Sequence, residues 1–308
     1  MTRSDDEYEY EDDEYEYEEE EEWEDEEDED VPEPPSRARG KRAAGDETAD
    51  AGTARPLALG FLVLSPLILA YELGQFAIDG SSRSSAELLL FYGTIAFGKH
   101  AELVRWGILA ALFVIAGVTV LRHVDGLLPK IFRQLVEGVI AAVLLGPLLT
   151  LGIRLLGALI EPVAEGFPGG ASLPPHGAPG LGAAARVVGA AAYEELLFRL
   201  GLMSVLILLV RSVSVFLTGH RSRTWIVVAE IVAVIGSGLA FAAFHLETVT
   251  GWLGAGGEPW NAAVFTWRAL AGMLLAGLFR WRGIGVAAWA HGLFNLALVL
   301  GAGPDVFL

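Results

Sequence analysis

Apolar residues recur in long, nearly uninterrupted runs from residue 57 to the end of the chain. A helix that rises ~1.5 Å per residue needs about 20 apolar residues to cross a bilayer core of ~30 Å. Seven runs are close to that length, at residues 57–78, 102–121, 135–158, 184–210, 224–246, 262–279 and 283–301. A shorter run, Leu88–Phe97, covers only ~15 Å and is either an interfacial or re-entrant segment or an eighth, irregular span. The pattern predicts an all-α, polytopic transmembrane bundle of 7–8 helices.

The N-terminal 54 residues have a different character. Residues 5–30 hold 21 Asp or Glu, and the heptapeptide DEYEYED is followed at once by DEYEYEE. Charge of one sign at this density repels itself and buries no apolar surface, so we expect a disordered, solvated tail. A proline-containing basic linker follows it. The alternative is that the aromatic residues of the tail anchor a basic partner. The chain therefore divides into a tail and linker at 1–54 and a membrane domain at 55–308.

Composition and charge agree with this division. The mean hydropathy is +0.46, too high for an ordinary soluble domain. The net charge of −18 arises in residues 1–50, which hold 25 acidic and 5 basic residues, so the other 258 residues carry +2. That distribution gives no basic surface for a nucleic-acid partner. The chain has no cysteine, which excludes disulfides, thiolate catalysis and cysteine-ligated metals.

The basic residues between the apolar runs predict the orientation in the membrane. With the N-terminus in the cytoplasm, the cytoplasmic segments hold thirteen Lys or Arg and the outer loops hold two, Arg83 and Lys99. The positive-inside rule favours that arrangement strongly. We therefore expect a multi-pass protein of the plasma membrane with a cytoplasmic N-terminus. The outer loop Glu161–Gly182, rich in Pro and Gly, is expected to be irregular.

Ionisable residues inside apolar runs are costly, so each one is a candidate for function. Most of them lie toward the ends of the runs, where snorkelling to the interface is the expected explanation. The alternative is that at least one of them pairs inside the bundle. These residues are Glu72, Glu102, Arg105, Glu137, Arg154, Arg186 and Arg268.

The fourth run differs, because it places two adjacent carboxylates and an arginine well inside one helix. Glu195 and Arg199 stand at i,i+4, in the order that favours an ion pair on one helix face. Glu194 is rotated from its neighbour by about 100°, so Arg199 cannot serve both carboxylates equally. Glu194 is the carboxylate left for chemistry.

Two later runs carry histidines that share a helix face with a second functional side chain. Phe241 and His245 are spaced i,i+4 near the end of the fifth run, and His291 and Asn295 have the same spacing in the seventh. Counting ~1.5 Å per residue places Glu194 and His291 at similar depths in the bilayer. The same count places His245 near the outer face, unless the fifth helix is longer, tilted or bent around residues 236–238.

These residues resemble the motifs of the CPBP family, the CAAX-protease and bacteriocin-processing (Abi) intramembrane proteases that include the type II prenyl-protein endopeptidases. The motifs occur in order as EExxxR at Glu194, Glu195 and Arg199, FxxxH at Phe241 and His245, and HxxxN at His291 and Asn295. The resemblance covers residues 184–300. Three motifs on three separate runs are far more specific than any one of them.

The resemblance implies an intramembrane endopeptidase that cleaves a peptide or membrane-protein substrate. In that mechanism Glu194 and His245 activate a water molecule, while His291 and Asn295 stabilise the tetrahedral oxyanion. The remaining motif residues, Glu195, Arg199 and Phe241, are expected to play supporting roles.

Metal dependence stays open at this point. Glu194, His245 and His291 could ligate zinc with an open fourth position, which would make the protein an intramembrane metalloprotease. The chain has no HExxH motif, and Asn295 suits an oxyanion site better than a zinc shell. We therefore expect no cofactor, with zinc as the alternative.

Other functions use similar residues. Buried Glu, Arg and His also form the proton relays of transporters, although the two halves of this chain show no repeat symmetry. A rhomboid-like serine protease built on Ser237 and His291 would leave the paired carboxylates unexplained. A third alternative is a catalytically inert scaffold with the same fold.

Overall fold

The computed structural model describes residues 40–76, 83–159, 180–220, 222–254 and 257–300, and it describes side chains from Pro56 onward, except those of residues 157–159. The acidic tail and the loop expected at Glu161–Gly182 therefore lie almost entirely outside the described residues. The chain divides into two units, Met1–Asp46 and Glu47–Leu308, and every side-chain contact discussed lies within the second unit.

The described chain is built from helices. In order they are α1 Gly40–Phe76, α2 Ser85–Leu90, α3 Ala101–His123, α4 Leu127–Leu159, α5 Leu181–Glu195, α6 Ser204–Thr218, α7 Arg223–Ala243, α8 Glu247–Thr250, α9 Ala262–Arg282 and α10 Ile284–Val299. A π-helical segment, Leu196–Met203, joins α5 to α6 without a break. The described ranges contain no strand, only one isolated bridge between Leu246 and Glu258. The predicted all-α class is confirmed.

Among the described residues, six helices are long and apolar enough to cross a membrane. They span Pro56–Phe76, Tyr92–His123, Leu127–Leu156, Leu181–Thr218, Arg223–Ala243 and Ala262–Arg282. The seventh predicted span, 283–301, forms the shorter apolar helix α10, which would cover ~24 Å at ~1.5 Å per residue. The predicted polytopic bundle is thus confirmed, with six full-length candidate spans and one shorter apolar helix among the described residues.

The ambiguous apolar segment Leu88–Phe97 is divided between two elements. Its first residues end α2, and the rest lie in a 3₁₀ segment, Tyr92–His100, that leads into α3. The backbone breaks at Gly98, where φ is +53°, a conformation that glycine adopts without strain. The segment is therefore the entrance to the second span, which begins about ten residues before the predicted boundary at 102.

Helix α10 lies at the centre of the bundle, packed against α4, α5 and α9. Small residues make this possible, because Gly285, Ala287, Ala288, Ala290 and Gly292 are all buried. Small side chains let helix backbones approach closely inside a membrane, where apolar burial alone gives little preference for one partner over another.

One glycine sets the crossing of α5 over α1. A Cβ atom built on Gly189 would lie 2.4 Å from the carbonyl oxygen of Leu67 and 2.4 Å from the Cβ of Tyr71. Neither neighbour is the flexible end of a long side chain, so the two helices would have to separate. Gly189 thus holds α5, which carries the paired carboxylates, against the first span.

Replacing Gly189 with alanine should lower the free energy of unfolding by about 1–3 kcal/mol, because the added methyl group overpacks the α1–α5 contact. The matched control is Gly107→Ala in α3, where an added Cβ meets open space. That control should be neutral or stabilising, since alanine favours a helix over glycine by about 1 kcal/mol. Thermal unfolding in detergent measures both variants, and equal melting temperatures would contradict the predicted close contact.

Candidate active site

The paired carboxylates lie at the junction between α5 and the π-helical segment. Successive side chains on a helix are rotated by about 100°, so Tyr193, Glu194 and Glu195 point in three different directions. Tyr193 packs edge-on against Tyr71 of α1, with ring centroids 5.1 Å apart. The side chain of Glu195 is fully buried, whereas that of Glu194 is 16% exposed. The two adjacent acids therefore occupy different environments.

Glu195 and Arg199 form a completely buried ion pair, as their spacing predicts. Arg199 Nε lies 3.2 Å from Glu195 Oε2, although the two atoms do not align as a hydrogen bond. Arg199 also donates through Nη2 to the carbonyl oxygen of Gly272 in α9, at 3.2 Å. Its guanidinium carbon lies 4.9 Å from the ring centroid of Phe241. The cation is thus held by a carboxylate, a carbonyl and an aromatic face.

The same carboxylate orients His291. The Nδ1 atom of His291 lies 2.9 Å from Glu195 Oε1, and Nε2 lies 3.5 Å from Glu194 Oε2. A hydrogen bond to a carboxylate requires a proton on Nδ1. In the neutral imidazole, Nε2 is then the unprotonated nitrogen, and it is the one that faces Glu194. Glu195 therefore contacts both Arg199 and His291, whereas Glu194 faces the opposite nitrogen of the same imidazole.

His245 reaches the site from a turn rather than from a helix. Helix α7 ends at Ala243, so the expectation that the fifth span continues through residue 246 is wrong. The turn is held by two hydrogen bonds, from His245 N to Ala242 O at 3.2 Å and from Glu258 N to His245 O at 2.9 Å. Although the count of helical residues placed His245 nearer the outer face than Glu194, the two side chains line the same cavity.

Phe241 packs against both imidazoles. Its ring centroid lies 4.8 Å from that of His245 and 5.5 Å from that of His291, and both contacts are edge-on. The carbonyl oxygen of Phe241 also lies 2.8 Å from His245 Nδ1. A carbonyl only accepts, so this contact puts the proton on Nδ1 and leaves Nε2 of His245 able to accept one.

Glu194 and His245 line one cavity, with a volume of about 470 Å³. Phe198 and Phe244 form an apolar part of its wall, and Ser84 contributes to a polar part. The cavity is large enough for water and a short peptide segment. In the described chain, the partly exposed Glu194 and the imidazole of His245 thus share one cavity.

Asn295 does not line this cavity, and His291 does not line it either, although its Nε2 atom lies 3.5 Å from Glu194 Oε2. Asn295 is half-buried on α10, one turn after His291. No hydrogen bond joins its side chain to another residue in the described part of the chain. Its expected role in oxyanion binding stays a prediction.

The residues of the zinc alternative are Glu194, His245 and His291. Within the described ranges, no three His, Cys, Asp or Glu side chains are grouped so as to hold a metal ion. Glu195 and a backbone carbonyl engage one nitrogen of each imidazole, and His291 Nε2 is 3.5 Å from the nearest oxygen of Glu194. These contacts leave Nε2 of both imidazoles free, and a ligating histidine usually has its other ring nitrogen engaged in this way. Metal dependence therefore stays a prediction to be tested, and the proposed mechanism uses protein groups alone.

Two residues interpreted as snorkelling are instead buried and paired, so that interpretation was wrong for them. Glu72 and Arg105 are 1% and 4% exposed and form a bidentate ion pair between α1 and α3. The signal available in the sequence was their opposite charge in neighbouring runs. Arg268 also has a partner, Glu258, with Nη1–Oε2 and Nη2–Oε1 distances of 2.5 Å.

The serine-protease alternative gains no support. Ser237 is fully buried in α7, and its hydroxyl donates to the carbonyl oxygen of Val234 at 3.4 Å. An activated nucleophile would instead donate to a base such as His291.

A comparison with protein families agrees with this geometry. Residues 178–297 match the family model described as type II CAAX prenyl endopeptidase Rce1-like. The match confirms the predicted resemblance to the CPBP family, over a segment that contains all seven motif residues. No curated protein and no solved structure matches the chain. The match covers less than half of the chain, and over that segment the protein is similar to a membrane-protease family. Together with the six apolar helices of the described residues, the match indicates a multi-pass membrane protein.

Arg199→Ala should destabilise the protein by about 3–5 kcal/mol, because it leaves the buried carboxylate of Glu195 without its cation. The expected observation is loss of folded protein from the membrane fraction. The control is Arg133→Ala, which removes a solvent-exposed partner of Glu137 at 3.6 Å and should cost about 0–1 kcal/mol. Normal yield and melting temperature for Arg199→Ala would show that the pair does not carry the stability assigned to it.

Proposed function

We propose that the protein is an intramembrane endopeptidase in which Glu194 and His245 activate a water molecule. One observation carries the proposal: of the two adjacent carboxylates, Glu194 faces the cavity that His245 also lines, whereas Glu195 is neutralised in the core. A carboxylate beside an imidazole in a partly enclosed cavity is a suitable base for deprotonating water. The family match of this segment supports peptide hydrolysis over other uses of the same groups.

The proposed reaction begins with a water molecule held between the Glu194 carboxylate and Nε2 of His245. As the water oxygen attacks the substrate carbonyl carbon, its proton moves to one of these two bases. The carbonyl π electrons move onto the oxygen and give a tetrahedral oxyanion. The protonated base then donates to the amide nitrogen, the C–N bond breaks, and the products are a carboxylic acid and an amine.

Stabilisation of the oxyanion is proposed for His291 and Asn295. When the imidazole carries both protons, Nδ1–H bonds Glu195 and Nε2–H is available on the side of Glu194. Donors that are preorganised for developing charge are worth ~3–4 kcal/mol each in such sites. Support for His291 is geometric, and support for Asn295 comes from its motif and its shared helix face.

The proposed substrate is a peptide segment of a membrane-associated protein. The aromatic part of the cavity wall, Phe198 and Phe244, suits apolar side chains, and Ser84 can bond a peptide backbone. The matched family is described as acting on CAAX prenyl proteins, which makes such a substrate one candidate. We further propose a plasma-membrane location with a cytoplasmic N-terminus, from the distribution of basic residues. A basic partner for the acidic tail also stays a prediction.

Glu194→Gln should abolish cleavage of a transmembrane reporter by the purified protein in liposomes, because the amide cannot accept the water proton. Its melting temperature should stay close to that of the wild type, since Glu194 forms no part of the buried Arg199 pair. The control is Glu102→Gln, which removes an exposed carboxylate at the start of α3 and should cleave normally.

Retained cleavage by Glu194→Gln would overturn the role assigned to this residue. Proton-driven solute flux without cleavage would favour the transporter alternative. A folded wild type that cleaves no reporter and moves no solute would favour the inert scaffold.

Chelation tests the alternative in which zinc is bound. Because the mechanism uses protein groups alone, cleavage should be unchanged after dialysis against a strong chelator and after addition of zinc. Metal content is measured on the same samples. Activity that follows the zinc content would replace the proposed mechanism with a metalloprotease mechanism.

A further inference from the structure

Tyr193, the residue before the catalytic carboxylate, belongs to a buried polar network. Its hydroxyl donates to Glu72 Oε1 at 2.5 Å. Arg105 donates to both oxygens of the same carboxylate, with Nη2–Oε2 at 2.8 Å. The Nη1 atom of Arg105 also lies 3.0 Å from Glu87 Oε1. All four side chains are buried.

The network continues into α2. The hydroxyl of Tyr71 donates to Glu87 Oε2 at 2.8 Å and accepts from the backbone N–H of Ser84 at 2.7 Å. Arg83 binds the other oxygen of Glu87. The network therefore connects α1, α2 and α3, which carry no family motif, to α5, which carries the paired carboxylates.

Stability alone is a weak reason for such a network. Removing charges from water is expensive, and apolar side chains of similar volume often replace a buried ion pair without loss of stability. A directed hydrogen bond supplies what apolar packing lacks, because it fixes a side chain at a single angle. Because Tyr193 directly precedes Glu194, a hydrogen bond that fixes the angle of Tyr193 also affects the direction of Glu194.

The backbone changes from α-helical to π-helical close to Tyr193. A π-helical segment begins at Leu196, and such segments alter the register of the side chains that follow. The ring of Tyr193 touches Tyr71 and Phe91 edge-on, at centroid distances of 5.1 and 6.2 Å. Ring contacts of this kind tolerate sliding, whereas the bond to Glu72 does not.

We propose that Tyr193 is a positioning residue, whose hydrogen bond to the Glu72–Arg105 pair fixes the rotation of α5 and so aims Glu194 into the cavity. Because neighbouring side chains differ by about 100°, holding Tyr193 against α1 determines the direction of Glu194. The inference rests on the proposed function for the role of Glu194 in catalysis. The geometric part, the orientation of residue 194, does not depend on that role.

Tyr193→Phe is the direct test, because it removes one hydroxyl and keeps the ring contacts. We expect kcat for reporter cleavage to fall roughly 10- to 100-fold, the range that a shift of about 1 Å in a catalytic group produces. KM should stay unchanged, since Tyr193 does not line the cavity. A purely structural role would lower the folded fraction and leave kcat per folded molecule at the wild-type value.

The lack of cysteine allows a second readout that needs no activity. Glu194→Cys introduces a single thiol into the chain, and its rate of reaction with a small thiol reagent reports how far residue 194 is open to the cavity. Adding Tyr193→Phe should slow that reaction severalfold. Glu102→Gln is the matched control, since it removes an outer partner of Arg105 without touching Tyr193. It should leave both kcat and labelling unchanged.

The outcomes separate the two proposals. Wild-type kcat and labelling in the Tyr193→Phe variants would overturn the positioning role and leave the protease intact. Slower labelling in a chain whose wild type cleaves no reporter would uphold the positioning of residue 194 and overturn the proposed function. An equal effect from Glu102→Gln would assign the change to general loosening of the network and would also overturn the positioning role.

Discussion

The carboxylate of Glu195 is the group on which the arrangement of the site depends. It is fully buried between Arg199 and His291, at 3.2 and 2.9 Å. A carboxylate in that environment keeps its charge only beside such partners. Glu195, at the end of α5, therefore holds Arg199 of the π-helical segment and His291 of α10 together. Since helix geometry rotates its neighbour by about 100°, Glu194 is directed elsewhere, toward the cavity. One buried ion pair thus gives two adjacent, chemically identical residues different environments.

Close packing of the surrounding helices makes that burial possible. Gly189 brings α5 against α1. Gly272 supplies the carbonyl oxygen that binds Arg199, and a Cβ built there would lie 2.9 Å from the Cα of Gly238 in α7. With little apolar driving force between helices inside a bilayer, close backbone approach and polar contacts determine which helices pair. The first two spans take part through Glu72 and Arg105, whose pair binds Tyr193. The segment with the family motifs therefore does not form the candidate site alone.

Much of this was accessible from the sequence, for identifiable reasons. The apolar runs predicted the helices because bilayer thickness fixes the length of a span. The Glu195–Arg199 pair followed from an i,i+4 spacing within one helix. Local periodicity cannot predict partners from distant parts of the chain, so the pairing of Glu72 with Arg105 was missed. The position of His245 was also missed, because a turn stabilised by Glu258, thirteen residues later, has no periodic signature.

Glu195 stabilises the fold through Arg199, whereas Glu194 faces the cavity and is not needed for stability. Thermal unfolding of two matched variants tests this difference most directly. Glu194→Gln and Glu195→Gln each replace one carboxylate with an amide of nearly the same shape. Glu195→Gln should melt several degrees below the wild type, because Arg199 is left as a buried cation without a counter-charge. Glu194→Gln should melt at the same temperature as the wild type. Equal melting temperatures, or a lower one for Glu194→Gln, would contradict this difference.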